Sequence, residues 1–250
     1  MDFALSEEQV ELKQQARAWL ADRFPLDRDW EAQDDRWSEL AELGWLDVAE
    51  AGLGLVEEAL LLEELGYALY PGPYLAHVAG QPEVFGSGGD VATVDATRPL
   101  KRDADPDETP RFRAACAAEA LGVAQRALDL GVEHAKTRVQ FGKPIGTYQA
   151  VSHPLAQTYT DVELARSLAY WAAWCVAEED ERAPVAAAAA KAFATEAAVA
   201  ACERSIQVHG GIGFTWEHPL HRFYKRALWL EGFGRRPAEL RLEVASAVLE

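Results

Sequence analysis

Apolar residues recur at three- and four-residue spacing through most of the chain, the pattern of helices with one buried side. Ser6-Glu7-Glu8-Gln9 reads as a capping box with Leu5 and Val10 at the staple positions. Leu12, Ala16, Trp19 and Leu20 follow at helical spacing, so a helix starts at Ser6. Trp37, Leu40 and Leu43 make a short second stripe stopped at Gly44, and Val56 to Leu69 a third helix ended by Pro71-Gly72-Pro73. From about Tyr74 to Pro110 the period fades. Gly86, Gly88, Gly89 and several prolines surround one candidate strand, Val91 to Val94, and the stretch reads as a linker or remnant.

Helical order resumes with Leu121, Ala124, Leu128, Val132 and Ala135, set opposite Arg126, Asp129, Glu133 and Lys136, which predicts one buried face. A second long helix is expected from Gln149 to Glu179, with Val151, Leu155, Val162 and Ala169 inward and Pro154 either in the first turn or kinking it. A third opens near Pro184 and runs to Val208 before Gly210-Gly211; Leu220 to Leu230 and Pro237 to Leu249 complete the set. No repeat of 20 to 50 residues and no strand-helix alternation is present, so the fold class is mainly α. Three parts follow: an N-terminal helical domain over 1–73, a reduced middle over 74–110, and a C-terminal helical bundle over 111–250.

Composition narrows the picture. With 250 residues, 49% hydrophobic and 26% charged, the chain is no disordered polymer. The longest apolar run, Val185 to Ala190, is too short to cross a bilayer, and the acidic start lacks the basic flank of a signal peptide. A cytoplasmic protein with no membrane insertion is expected. Residues 1–110 carry 25 acids against 8 bases, whereas 111–250 carry 16 of each, so the formal charge of -17 sits in the first part. That excess repels phosphate backbones and anionic lipid, and no nucleic-acid partner is expected. Cys116, Cys175 and Cys202 are odd in number and set among alanines, as buried thiols are.

Three local signals carry candidate chemistry. Arg138-Val139-Gln140-Phe141-Gly142-Lys143-Pro144-Ile145 interrupts two strong helices. Arg138 there complements a helix C-terminus and Phe141 plugs the bundle end, or a fixed guanidinium beside a Gln amide holds a pyrophosphate while Phe141 packs on a ring. Gln207-Val208-His209-Gly210-Gly211-Ile212-Gly213-Phe214 places three glycines in four positions, which lets a backbone or ligand approach closely; its spacing is not the dinucleotide fingerprint. His209 reads as a helix-end or core histidine. Glu231, between Leu228-Trp229-Leu230 and Gly232, is either a carboxylate made basic by burial or a helix-end residue paired with Arg235 or Arg236. His218 and His221 stand at i and i+3 but lack further ligands, and no metal is expected.

Together these elements resemble the acyl-CoA dehydrogenase family, in order as well as in kind. The opening helix, Glu42-Leu43-Gly44-Trp45, the Leu61-Glu63-Glu64-Leu65-Gly66 stretch, Arg138 to Ile145, Gln207 to Phe214 and Glu231-Gly232 match its landmarks, over about 1–73 and 111–250. The resemblance implies an N-terminal helical domain and a C-terminal four-helix bundle with the middle β-domain largely absent. It also implies FAD. Arg138, Gln140 and Phe141 would hold the pyrophosphate and adenosine side of a neighbour's flavin dinucleotide, completed by Gln207, Gly210 and Gly211, with Tyr148 and Val151 at further matching positions. Glu231 falls at the family's catalytic base, which removes the α-proton of an acyl-CoA thioester while hydride leaves the β-carbon for flavin. Leu230 and Phe233 stand where the family has Tyr and Thr. Because only about Gly86 to Arg102 remains of the middle domain, the resemblance implies a heteromer. A full-length dehydrogenase paralogue would supply the flavin pocket, as in the α2β2 actinobacterial enzymes acting on steroid side-chain CoA thioesters, and an electron-transfer acceptor would complete turnover. Glu231 is then a base if a partner segment covers it, and a relic if the partner's own carboxylate does the chemistry. The contrasting expectation is a catalytically silent helical partner that never touches flavin.

Overall fold

A computed structural model describes residues 4–30, 34–49, 51–84, 92–101 and 106–249. Gly86, Gly88, Gly89, Val91 and Arg102, and with them most of the expected middle-domain remnant, lie outside the described residues.

The N-terminal helices form as their caps dictate. In α1 (Glu7–Arg23) the Ser6 hydroxyl accepts from the Gln9 amide while the Gln9 side chain accepts from the Ser6 N–H. The helix α2 (Trp37–Glu42) is one and a half turns long and is followed by Gly44 at φ +73°. Helix α3 (Leu55–Ala68) is buried on nearly every side, ends on Leu69 in the left-handed region, and is followed by α4 (Tyr74–Ala79). Fading periodicity had predicted no helix there. Its Tyr74, Leu75, Ala76, Val78 and Ala79 are all buried, so tertiary burial holds a six-residue segment too short to show a period. Residues 92–94 form no strand.

The C-terminal part is a bundle of α5 (Pro110–Thr137), α6 (Gln149–Ala177) and α7 (Ala183–His209), closed by α8 (Leu220–Gly232) and α9 (Pro237–Leu249). The expected single buried face of α5 holds only after Ala124: Phe112 to Ala124 are buried on every side, because α3 packs on one flank and α7 on the other. Two glycines make that packing possible. A methyl group on Gly122 would run into the Glu63 carbonyl, and one on Gly66 into the Glu119 carbonyl, so α3 and α5 meet backbone to backbone. Pro154 sits in the second turn of α6, where the helix continues through it.

Helix α7 places Val185 to Ala190 within a 27-residue helix, long and apolar enough to cross a membrane. Two thirds of its most apolar window, 67%, is buried against α5, α6 and α8, so its apolarity serves the core. Cys116, Cys175 and Cys202 are free and buried, as expected.

Candidate functional site

Past the end of α5 the chain makes a two-residue hairpin, β1 (Val139–Gln140) pairing antiparallel with β2 (Lys143–Pro144), and Phe141 and Gly142 form its tip. Both tip residues have positive φ, +51° and +81°. That suits the right-handed strand twist but is costly for a bulky side chain, for which the left-handed region is a true outlier. Tyr148 props the hairpin: its hydroxyl donates to the Gln140 carbonyl at 3.3 Å, its ring meets Phe141 edge-on at 6.4 Å, and the Lys143 ammonium lies 4.3 Å from its centre. Val151, in the first turn of α6, is half-buried beneath.

What the hairpin presents is unspent. Phe141 is 92% exposed, so it does not plug the bundle end; its left-handed position at the hairpin tip, directly after β1, throws its ring into solvent. Arg138 is exposed and its guanidinium forms no hydrogen bond or ion pair among the described residues, while Gln140 donates only to its neighbour's carbonyl, Val139 O, at 2.9 Å.

The second loop leaves the same end of the bundle. Helix α7 stops at His209, and Gly210, at φ +64° and ψ −138°, turns the chain into a 3-10 segment, Gly210–Phe214. A β-carbon at Gly210 or Gly211 would meet nothing within 4 Å, so these two backbones are open to an approaching group; Gly213 is different, its space taken by Ile206 O and His209. Gln207 is exposed on the last turn.

Rings join the loops. His134, one turn before Arg138, stacks on His209 at 4.2 Å and 29°, and His209 faces His218 at 4.4 Å. One turn back, a methyl on Gly131 would reach Ser205 Oγ at 2.9 Å and Leu155 at 3.0 Å, so α5, α6 and α7 converge below the two loops. Arg138, Gln140, Phe141, Tyr148, Val151, Gln207, Gly210 and Gly211 therefore all lie at one end of the bundle. Phe214 and Trp216 extend the exposed aromatic surface, at 76% and 74% exposure, with Lys225 4.6 Å from the Trp216 ring. Motif spacing alone could not mark His134, because its partners come from two other elements.

Glu231 lies elsewhere. It is half-buried in the last turn of α8 and makes no hydrogen bond or ion pair among the described residues, the Arg235 and Arg236 pairing included. Burial raises its pKa, Glu196 and Glu203 on α7 push the same way, and Arg236 opposes them. A cavity of about 880 Å³ opens nearby between Thr93, Leu100, Glu108, Leu228, Trp229 and Gly232 to Arg235, and Glu231 is not among its lining residues. Phe233 is a core residue, stacked on Trp229 at 4.3 Å and edge-on to Phe112 at 5.3 Å. The next turn is pinned by Lys191, which donates to Phe233 O at 2.7 Å and to Glu108 at 2.9 Å. This cavity meets the start of α5, a helix about 42 Å long at 1.5 Å per residue, and so stands at the opposite end from the hairpin.

The described residues thus form a helical core with a cationic hairpin and a bare glycine turn at one end. The family model for the acyl-CoA dehydrogenase C-terminal domain matches residues 109–234, and that for the N-terminal domain matches 6–86. The chain belongs to the acyl-CoA dehydrogenase family. It is 40% identical over 169 residues to acyl-CoA dehydrogenase IpdE2 of Mycobacterium tuberculosis, 64% of this chain and 51% of that protein. It thus spans about half the length of that curated relative. Among solved structures it is similar to a chain of the Tcur3481-Tcur3483 steroid ACAD, with 25% identity, TM-score 0.79, and 97% and 98% of the two chains covered. A chain of the ChsE4-ChsE5 complex from Mycobacterium tuberculosis shares the fold at TM-score 0.81 and 22% identity, with 100% and 99% covered.

Proposed function

We propose that this chain is a cytoplasmic subunit of an FAD-dependent acyl-CoA dehydrogenase that desaturates an acyl-CoA thioester between its α and β carbons, and that it supplies the adenosine and pyrophosphate grip for a flavin seated in a partner subunit. The observation that carries this reading is the hairpin and glycine turn. An exposed guanidinium unpaired among the described residues, a solvent-facing ring held in a costly backbone conformation and two open glycines stand together at one bundle end. Those groups suit a pyrophosphate and an adenine ring: Arg138 supplies charge-assisted hydrogen bonds, Gln140 and Gln207 amides, Phe141 a stacking face, and Gly210 and Gly211 close approach. Tyr148 supports the hairpin, and the Val151 N–H donates to the Tyr148 carbonyl at 2.9 Å.

The isoalloxazine ring does not fit this chain as readily. Phe233, where the family has a residue that touches the cofactor, is turned into the core, and the adjoining turn is closed by Glu108 and Lys191. A heteromer follows, with a full-length acyl-CoA dehydrogenase paralogue providing the flavin pocket and the catalytic carboxylate. The similarity to a steroid ACAD and to the ChsE4-ChsE5 complex favours an α2β2 assembly acting on a steroid side-chain CoA thioester. When bound, the flavin accepts the hydride that leaves the substrate, and an electron-transfer acceptor then reoxidises it. This chain's own work is to hold and orient the dinucleotide end. The division into 1–73, 74–110 and 111–250 assigns the grip to the third part, with Glu231 left unused.

The test is to purify the chain alone and with the paralogue and record flavin absorbance. The solitary chain is expected to be colourless and the complex yellow; a yellow solitary chain overturns the shared site, and a complex whose flavin is indifferent to this chain favours a silent helical partner. Arg138→Ala is expected to weaken FAD retention in the complex by about 1.5 to 3 kcal/mol, the scale of a hydrogen bond to a charged group.

A further inference from the structure

Three imidazoles are in ring contact where α5, α7 and the segment ahead of α8 meet, the first pair stacked and the second tilted. They are His134 on His209 at 4.2 Å and 29°, and His209 on His218 at 4.4 Å and 49°. Each ring belongs to a different element, and two are followed within four residues by a loop of the proposed dinucleotide grip: Arg138 and the hairpin after His134, Gly210 and Gly211 directly after His209. No hydrogen bond among the described residues joins the two loops. The hairpin's bonds run within itself and to His134, Ile145, Thr147 and Tyr148, and the glycine turn's to Ile206, Gln207 and Thr215.

Hydrogen bonds fix one nitrogen in each of two rings. Nδ1 of His209 lies 2.8 Å from the Ser205 carbonyl, which can only accept, so Nδ1 carries a hydrogen. Nδ1 of His218 accepts from the Leu220 backbone N–H at 3.3 Å, so it is bare and its hydrogen sits on Nε2. A proton added to His218 goes on Nδ1 and breaks that bond. One added to any ring sets a charge against its neighbour.

The surrounding charges make this worse. From α5 come His134 and the Arg138 guanidinium; from α7, His209; ahead of α8, His218; from α8, His221, itself beside Arg222 and Lys225. All are cations or become so in acid. Burial, then the neighbouring imidazoles, push His218 down to about 4, and burial first lowers His134 and His209 as well.

We propose that the His134–His209–His218 stack is a clamp that sets the spacing of the Arg138 hairpin and the Gly210–Gly211 turn, and that it stays closed only while its rings are uncharged. These histidines are positioning residues: they hold the loops, not the ligand. In acid the first proton loosens the stack and Arg138 resists it, so the hairpin and turn separate while the bundle beneath stays folded. The consequence for flavin, release of the dinucleotide in acid, rests on the function proposed above; the clamp itself does not.

The experiment therefore has two arms. In the first, the full chain without flavin is titrated from pH 7.5 to 4 by NMR, following the imidazole carbons and the amides of 139–142, 210–213 and, as a core control, Gly66 and Gly122. The expected result is that the loop amides shift together with the three imidazoles, at a midpoint below the ordinary histidine value of about 6.5, while the control amides stay fixed. Loop amides that ignore the imidazole titration, imidazoles that titrate singly near their ordinary value, or core amides that move at the same midpoint each overturn the clamp. The second arm reads FAD release from the complex against pH. In His134→Phe/His209→Phe, which keeps flat rings but cannot take up a proton, release is expected to move at least one pH unit lower; an unmoved profile in a flavin-binding complex also overturns the clamp. A complex that binds no flavin at all sinks the proposed function and leaves the first arm to judge the stack.

Discussion

Single residues divide into those whose neighbours use them and those whose neighbours do not. Arg138 and Phe141 are the second kind: one is a cation with no ion pair among the described residues, the other a ring 92% exposed at φ +51°, and a core role explains neither. Glu231 shows that a sequence match and a site are separate matters. It stands in the motif, yet it faces Glu196 and Glu203 and does not line the nearby cavity. Burial and those two carboxylates raise its pKa by desolvation and like-charge repulsion, a condition that arises without any substrate. Glu231→Gln removes that repulsion, so the complex is expected to turn over within about twofold of the parent, a change of roughly 0.4 kcal/mol in barrier at 1.36 kcal/mol per tenfold. A loss of a hundredfold or more in steady-state turnover would restore Glu231 as the base.

Among elements, legibility followed length. The long helices declared themselves because a 3.6-residue period needs several turns to show: α6 and α7 lie within a few residues of where their patterns put them, while α5 carries its stripe from Leu121 to Ala135 but starts eleven residues earlier, at Pro110. The cap of α1 was equally local, a hydroxyl and an amide three residues apart. The six-residue α4 was not legible, since its helicity comes from burial on the rest of the fold. Nor was the full enclosure of the first half of α5, because a helix packed on two flanks has no polar side to mark its period. The Gly66–Gly122 contact decides how α3 and α5 cross, and neither glycine is at a turn. Gly122→Ala puts a methyl group against the Glu63 carbonyl with no flexible side chain to yield. We expect a loss of about 1 to 3 kcal/mol or more, despite alanine's better helix propensity. Urea unfolding measures it, and an unchanged or raised midpoint would show that the helices can part without cost.

At the scale of the whole molecule, buried charge joins the parts. Arg226 on α8, fully buried, pairs with Asp95 and with Glu119 on α5 at 2.5 Å, and also donates to Tyr70 O at 3.2 Å. Arg98 reaches the same Glu119 at 2.7 Å and the Gly72 carbonyl at 2.5 Å. Residues from just after α3, the 92–101 segment, α5 and α8 thus share one network, and two guanidiniums meet on one carboxylate. Glu119→Gln removes the buried charge on which both meet and is expected to cost about 3 to 5 kcal/mol in denaturant unfolding; a cost below 1 kcal/mol would mean that the cluster is hydrated. Acid acts on the same network. Burial pushes Asp95 up, but Arg226 and the Thr97 hydrogen bond outweigh it, and its carboxyl lies below the usual range. A group depressed in the fold contributes fully above its unfolded value of about 3.9 and loses that contribution as pH falls through the folded value. This loss therefore sets in only below about pH 4.

The sequence by itself determined the helices, their caps, the family and the two loop motifs, because each depends on residues within one or two turns of one another. Only the tertiary structure decided that His134 meets His209, that Arg226 meets Glu119, that Phe233 is core, and that Glu231 does not line the cavity. The first two contacts join side chains 75 and 107 residues apart, where neither period nor spacing carries information and only packing sets the distance.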